Sequence, residues 1–153
     1  MSGQVHDEQY VTPVRFKRVD RFDVSENALV QGIEKILLAN SLVGLVGPPG
    51  SMKTLLECDM AACIATGENW FGRKVNRGPA FLLLGESNIR VFRRFHAIRK
   101  LRGIEFEKSP LYVSNRLDAF DVEAHVRAVS DRIALTCEKI GIAPAFIGID
   151  PLA

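Results

Sequence analysis

The stretch "LVGLVGPPGSMKTLLE", residues 42–57, decides how the rest of the chain is interpreted. An apolar run leads into a turn of glycine and proline, and Lys53-Thr54 then opens a segment with helical spacing. In a phosphate-binding loop of the form G-x-x-x-x-G-K-[ST], backbone amides wrap the phosphates, the lysine reaches the β and γ phosphates, and the hydroxyl binds Mg²⁺. The stretch therefore predicts a strand, a phosphate-binding loop and a helix in succession.

One position of this loop departs from the consensus, because Met52 occupies the place of the second glycine. We expect Met to be tolerated there if its φ is negative and its thioether points away from the nucleotide. An ordinary Gly-Pro turn is the alternative, but it leaves Lys53 unexplained in the first turn of a helix, where a cation opposes the helix dipole. The residues expected to contact the nucleotide are Gly47, Pro48, Pro49, Gly50, Ser51, Met52, Lys53 and Thr54.

The composition is that of a globular domain with an ordinary core. The chain has 153 residues, 47% of them hydrophobic and 25% charged, and a net charge of +2 that points to no class of partner. Cys58, Cys63 and Cys137 are odd in number and lie in apolar helical patterns, which favours core thiols in a reducing compartment. No apolar run reaches the roughly 18 residues of a membrane span. We expect a cytoplasmic protein.

Short apolar runs alternate with segments of helical spacing. The runs lie at 42–46, 80–85, 111–114 and 145–150, and the helical segments at 53–66, 88–102 and 121–140. This alternation predicts an α/β fold with a mostly parallel sheet flanked by helices.

The last helical segment is the best defined. It has Asp121 as a candidate N-cap, Gly141 as a candidate C-terminal cap, and an apolar stripe of Val122, Val126, Val129, Ile133, Cys137 and Ile140.

The chain divides into a polar arm at 1–27, expected to be loosely ordered, and an ATP-binding domain at 28–153. The apolar lead-in that ends at Ser41 fits a short helix or an extended segment that turns at Ala39-Asn40-Ser41, and the sequence leaves both open.

A second signal comes from "PAFIGIDPLA", residues 144–153, where an apolar strand ends in Asp150. A carboxylate at the end of a strand that faces a phosphate-binding loop holds Mg²⁺ in the arrangement called Walker B. Asp150 follows the loop by about 100 residues within the alternating pattern, which strengthens the pairing. Thr54 and Asp150 are therefore the expected metal ligands.

The segment at 88–102 is strongly basic. We expect Val91, Phe95 and Ile98 to form its apolar stripe, with Phe92 and Leu101 beside them. With no aromatic interleaved on the charged side, a solvated face is favoured over a nucleic-acid patch. Trp70-Phe71 is interpreted as a hydrophobic plug, and adenine stacking by this pair stays open.

Further motifs make the likeness to one family specific. The segments "ATGENWFG" at 65–72, Glu86 after "FLLLG", and "VFRRFHAIRK" at 91–100 follow the loop in order. From residue 29 onward the chain resembles the RecA-type P-loop ATPases of the RepA group, the hexameric replicative helicases of plasmids and phages, within the AAA family of ATPases. The resemblance implies a RecA-like fold and hydrolysis of ATP with Mg²⁺.

Roles for single residues follow from this resemblance. It implies that Lys53 contacts the terminal phosphates and acts in catalysis, that Thr54 and Asp150 hold Mg²⁺, and that Glu86 polarises the attacking water. It also implies single-stranded DNA and further copies of the chain, as a hexamer, as partners of the complete protein. Members of this group continue beyond the Walker B strand, so the domain is expected to be incomplete at its C-terminus and of low activity alone. In the family, the next strand inserts between the runs at 42–46 and 145–150.

Two other functions remain open on the sequence. One is a nucleotide-binding or assembly module without turnover, and the other is an ATPase of the same type that serves recombination or regulation.

Overall fold

The computed structural model describes residues 30–85, 88–114 and 123–150. In chain order the elements are β1 Gln31–Ile33, β2 Leu37–Leu38, α1 Lys53–Thr66, β3 Ala80–Leu84, α2 Asn88–Arg102, β4 Leu111–Val113, α3 Glu123–Ile140 and β5 Phe146–Asp150. All three predicted helices are present, and so are three of the four predicted strands. The arm at 1–27 and the candidate N-cap Asp121 lie outside the described residues.

The central sheet has three strands in the order β4-β3-β5, and both pairings are parallel. Helix α2 connects β3 to β4, and α3 connects β4 to β5, as parallel pairing requires. The register places Leu82 beside Gly148 and Leu84 beside Asp150. The predicted α/β fold with parallel strands is confirmed.

Alternate residues of β3 face the two sides of this sheet. Ala80, Leu82 and Leu84 belong to the core formed with α1 and α2, while Phe81 and Leu83 line a cavity of about 380 Å³ beneath α3. The middle of helix α1 is buried on nearly all sides, because its residues there are small or apolar. These residues are Met60, Ala61, Ala62, Cys63, Ile64 and Ala65. The close fit of α1 to the sheet places its N-terminus at the edge where β5 ends.

The prediction of a strand at 42–46 is wrong. The segment has no regular secondary structure, and the side chains of Leu42 and Val46 are 102% and 95% exposed. A strand is stable only when a neighbour satisfies its backbone N–H and C=O groups. Both sides of β3 are taken by β4 and β5, and no strand in the described part of the chain pairs with 42–46.

The lead-in before the loop folds as an antiparallel hairpin of β1 and β2. Of the two alternatives, the extended one is adopted, and a turn follows at Ala39-Asn40. The turn is possible because Asn40 takes a left-handed φ of 55°, which asparagine tolerates better than most residues.

The predicted end of α3 is confirmed. Gly141 has a φ of 69°, its N–H donates to Glu138 O, and the N–H of Ile142 donates to Cys137 O. Cys58, Cys63 and Cys137 are all buried and form no disulfide, and burial raises the pKa of Cys63 to about 11. Among the helices that the structure describes, none is long and apolar enough to cross a membrane.

Candidate functional site

The loop at 47–54 is held in a tight turn by two glycines with different tasks. A Cβ on Gly47 would lie 2.8 Å from Ser51 Oγ, so a side chain at this position would force Ser51 to another rotamer. Gly50 has a φ of 80°, in the left-handed region that glycine adopts without strain. The N–H of Ser51 donates to Pro48 O at 3.2 Å and closes the turn.

Met52 also lies in the left-handed region, with a φ of 63°. The condition under which Met was expected to be tolerated, a negative φ, is therefore not met. For a residue with a side chain, this conformation costs about 1–2 kcal/mol. The side chain is 70% exposed, so no buried packing offsets the strain. Met52 thus occupies the kind of backbone position for which the consensus uses glycine.

Lys53 is the first residue of α1, and its side chain folds back across the loop. Its Nζ donates to Gly47 O at 2.8 Å and to Pro48 O at 3.0 Å. The ammonium group is thereby held within the turn formed by 47–50. A bound phosphate would meet this positive charge at the same place.

The N-terminus of α1 adds to the positive potential. The helix has no side-chain cap at Met52 and no acidic residue in its first turn. The first N–H groups of any helix lack partners within the helix, and together they carry a partial positive charge. Loop, lysine and helix end therefore fit the phosphates of a nucleotide.

Thr54 and Asp150 are in contact although 96 residues separate them in the sequence, because Thr54 Oγ1 donates a hydrogen bond to Asp150 Oδ2. The structure brings together the two residues predicted to hold Mg²⁺. A hydroxyl and a carboxylate are the hard oxygen ligands that Mg²⁺ prefers. Thr54 directly follows Lys53 in α1, so the pair would hold Mg²⁺ near the phosphates that Lys53 is expected to contact.

Glu57 is a further acidic residue at this edge, and the sequence analysis missed it. Burial, together with the charge of Asp150, raises the pKa of Glu57 to about 7. Its carboxyl group lies against Gly148 of β5, where a methyl group would overlap it. Its position three residues after Thr54, on the same face of a helix, is the signal that could have identified it.

The raised pKa of Glu57 predicts a pH-dependent stability. Its pKa is 4.5 when unperturbed and about 7 in the fold, so the folded state binds the proton more tightly. The free energy of unfolding should therefore fall as pH rises from 4.5 to 7, by about 1–2 kcal/mol after allowance for partial exposure. Glu57→Gln should remove this fall. Urea unfolding at pH 4.5 and pH 8 measures it.

The control for this measurement is Glu138→Gln on the exposed side of α3. If Glu57→Gln and Glu138→Gln change the pH dependence equally, Glu57 titrates as an ordinary exposed acid and the prediction fails.

The remaining predicted residues lie apart from this cluster. Glu86 is outside the described residues, so its catalytic role stays a prediction. Trp70 is buried, and its Nε1 donates to Asp59 Oδ2 at 3.0 Å. The predicted hydrophobic plug is therefore confirmed for Trp70 but not for Phe71. Phe71 is 71% exposed and lies 5.1 Å from the guanidinium of Arg102, at the end of α2. Helix α2 starts at the carboxyl ends of the strands, where the loop lies, and ends at the opposite edge of the sheet. Phe71 therefore lies at the edge away from the loop, and adenine stacking by Phe71 has no support.

Comparison with known proteins gives one match. A family model described as an AAA domain matches residues 8–153 and so includes the loop, Thr54 and Asp150. No curated protein and no solved structure matches the chain.

Proposed function

Because the chain belongs to the AAA domain family of P-loop ATPases, we propose that the loop at 47–54 binds the phosphates of ATP and that the chain hydrolyses ATP with Mg²⁺. The contact between Thr54 and Asp150 carries this proposal. It joins the residue that follows the loop lysine to the acid at the end of β5, and a Gly-Pro turn with no ligand needs no such pairing.

Each residue of the cluster has a task in this proposal. Lys53 neutralises the charge on the β and γ phosphates, and the N–H groups that open α1 orient them. Thr54 and Asp150 would hold Mg²⁺, which supplies positive charge next to the phosphates when it is bound. Glu86 is proposed to orient or deprotonate the attacking water.

The finer assignment follows from the resemblance to the RepA group. We propose a replicative DNA helicase, active on plasmid or phage DNA, that binds single-stranded DNA and assembles as a hexamer. The second candidate is a nucleotide-binding module without turnover. Met52 favours it, because a strained and exposed side chain stands in the loop at the position where the consensus has glycine.

Titration of a fluorescent ATP analogue with and without Mg²⁺ tests ATP binding and the metal pair. We expect Mg²⁺ to tighten binding to the wild type. Thr54→Ala and Asp150→Asn should lose this tightening, since each removes one metal ligand, and should retain the binding seen without the metal. Asn at 150 keeps an oxygen that can accept from Thr54, which preserves the local packing.

Thr136→Ala on α3 is the matched control, because it also removes a helical hydroxyl. Mg²⁺ dependence that is unchanged in both site variants would contradict the metal assignment. Steady-state turnover with and without single-stranded DNA then separates the helicase-type ATPase from the module without turnover.

A further inference from the structure

Helix α2 has an unusual charge. Its 15 residues include six Arg or Lys and no Asp or Glu. Arg102 pairs with Asp59, and Arg99 pairs with Glu105. By contrast, Arg90, Arg93 and Lys100 are exposed and form no ion pair or side-chain hydrogen bond with any residue that the structure describes.

These cations lie on the side of α2 that faces away from the core. Val91, Phe95 and Ile98 are buried and fix the inward face. Arg93 and Lys100 are seven residues apart, so both lie on the outward face. They are two turns from each other, about 10 Å along the helix axis. Lys100 lies in the last turn, where a cation stabilises the helix through its dipole, but Arg90 and Arg93 lie near the N-terminal end, where a cation gains nothing from the dipole.

Apolar side chains interleave with this charge. Phe92 is 63% exposed and Ile89 is 67% exposed. At 100° per residue, Ile89 lies within about 40° of Arg93 and Lys100, and Phe92 lies about 80–100° from them. Phe92, expected beside the apolar stripe, is therefore an exposed ring at the border of the charged side, where it is close enough to the cations to act with them.

We propose that this α2 face, formed by Ile89, Arg90, Phe92, Arg93, His96 and Lys100, binds single-stranded nucleic acid. The cations pair with phosphates of the backbone, and the Phe92 ring stacks on an unpaired base. The surface is separate from the loop at 47–54 and needs no nucleotide. The assignment rests on the single-stranded DNA binding proposed above and gives it a surface, and its test is independent of ATP binding and hydrolysis.

The same charge would attract an anionic membrane, but the apolar residues favour nucleic acid. A helix that lies in a membrane surface inserts a continuous apolar face. In α2 that face is already buried against the core, and the exposed apolar side chains, Ile89, Phe92 and Leu101, are separated by cations and form no continuous apolar face. A ring presented in this way suits bases that are not stacked in a duplex.

Fluorescence anisotropy with a labelled 20-nucleotide oligothymidine, in the absence of ATP, tests the proposal. We expect the double variant Arg93→Ala, Lys100→Ala to weaken binding at low salt by on the order of tenfold or more. The slope of log affinity against log salt concentration should also fall by about 1.4, since each lost phosphate contact to a single strand contributes roughly 0.7. Phe92→Leu should weaken binding on the order of fivefold, and Phe92→Tyr should restore most of it.

The control is Arg132→Ala, Lys139→Ala, which removes the same two residue types at the same spacing from exposed positions of α3. Equal losses of affinity and slope in both double variants would mean that net charge alone binds the oligonucleotide, and would overturn the proposal. Binding to vesicles with 30% phosphatidylserine but not to the oligothymidine would overturn it in favour of a membrane surface.

Discussion

Replacing Lys53 with Ala is expected to weaken ATP binding on the order of 100-fold. Its Nζ already lies inside the loop, bonded to Gly47 O and Pro48 O, so a phosphate in this turn meets the ammonium without a rearrangement of the backbone. Hydrogen bonds to charged groups contribute about 1.5–3 kcal/mol, and about 2.7 kcal/mol corresponds to 100-fold in affinity. Titration of a fluorescent ATP analogue at fixed Mg²⁺ measures the change.

Two variants serve as controls for Lys53→Ala. Lys139→Ala removes an exposed lysine from α3 and should leave ATP binding unchanged. Met52→Gly should bind ATP as tightly as the wild type or more tightly, because it restores the consensus glycine. Equal and negligible binding by the wild type and all three variants would show that residues 47–54 are only a turn.

Met52→Gly is expected to affect stability as well as binding. In a helix interior, glycine costs about 1 kcal/mol of helix propensity. Met52 is instead the N-cap of α1 with a φ of 63°, so glycine relieves about 1–2 kcal/mol of backbone strain. The greater freedom of glycine in the unfolded chain offsets part of this gain.

Much of this fold could be predicted because its signals are local. The helices at 53–66 and 88–102 begin and end where the periodicity predicts. The meeting of Thr54 and Asp150 was also predictable, since the carboxyl ends of parallel strands lie at one edge of a sheet and the loop precedes a helix that starts there.

Other features depend on neighbours that a sequence pattern does not reveal. Residues 42–46 have the composition of a strand, but pairing requires a partner at the right distance. The pKa of Glu57 depends on how closely α1 approaches Gly148. Phe92 lies near the boundary between the two faces of α2, where a difference of some tens of degrees decides between burial and exposure.

Replacing Asp59 with Ala is expected to lower the free energy of unfolding by about 3 kcal/mol. Asp59 accepts from Arg102 Nε and Nη2 at 2.5 and 2.6 Å, and from Trp70 Nε1 at 3.0 Å. The side chains of Arg102 and Asp59 are only 19% and 13% exposed. Removing one partner of a largely buried ion pair costs about 3–5 kcal/mol, because the other charge stays without compensation.

Chemical denaturation of four variants separates the ion pair from general effects of substitution. Asp131→Ala, at an exposed position of α3, should change stability by no more than about 0.5 kcal/mol. Asp59→Asn should lie between wild type and Asp59→Ala, since it can still accept from Trp70. The double variant Asp59→Leu, Arg102→Leu should be more stable than Asp59→Ala, because it leaves no unpaired charge.

The position of the ion pair between Asp59 and Arg102 explains why Asp59→Ala should affect both proposed binding surfaces, the loop at 47–54 and the α2 face. Asp59 belongs to α1, which begins with Lys53 and Thr54, and Arg102 is the last residue of α2, which carries the α2 face. Cooperative unfolding of a small domain removes both surfaces together. Asp59→Ala should therefore lose ATP binding and oligothymidine binding at the same urea concentration. Loss of the two activities at different concentrations would show that α1 and α2 unfold separately and that the ion pair does not couple them.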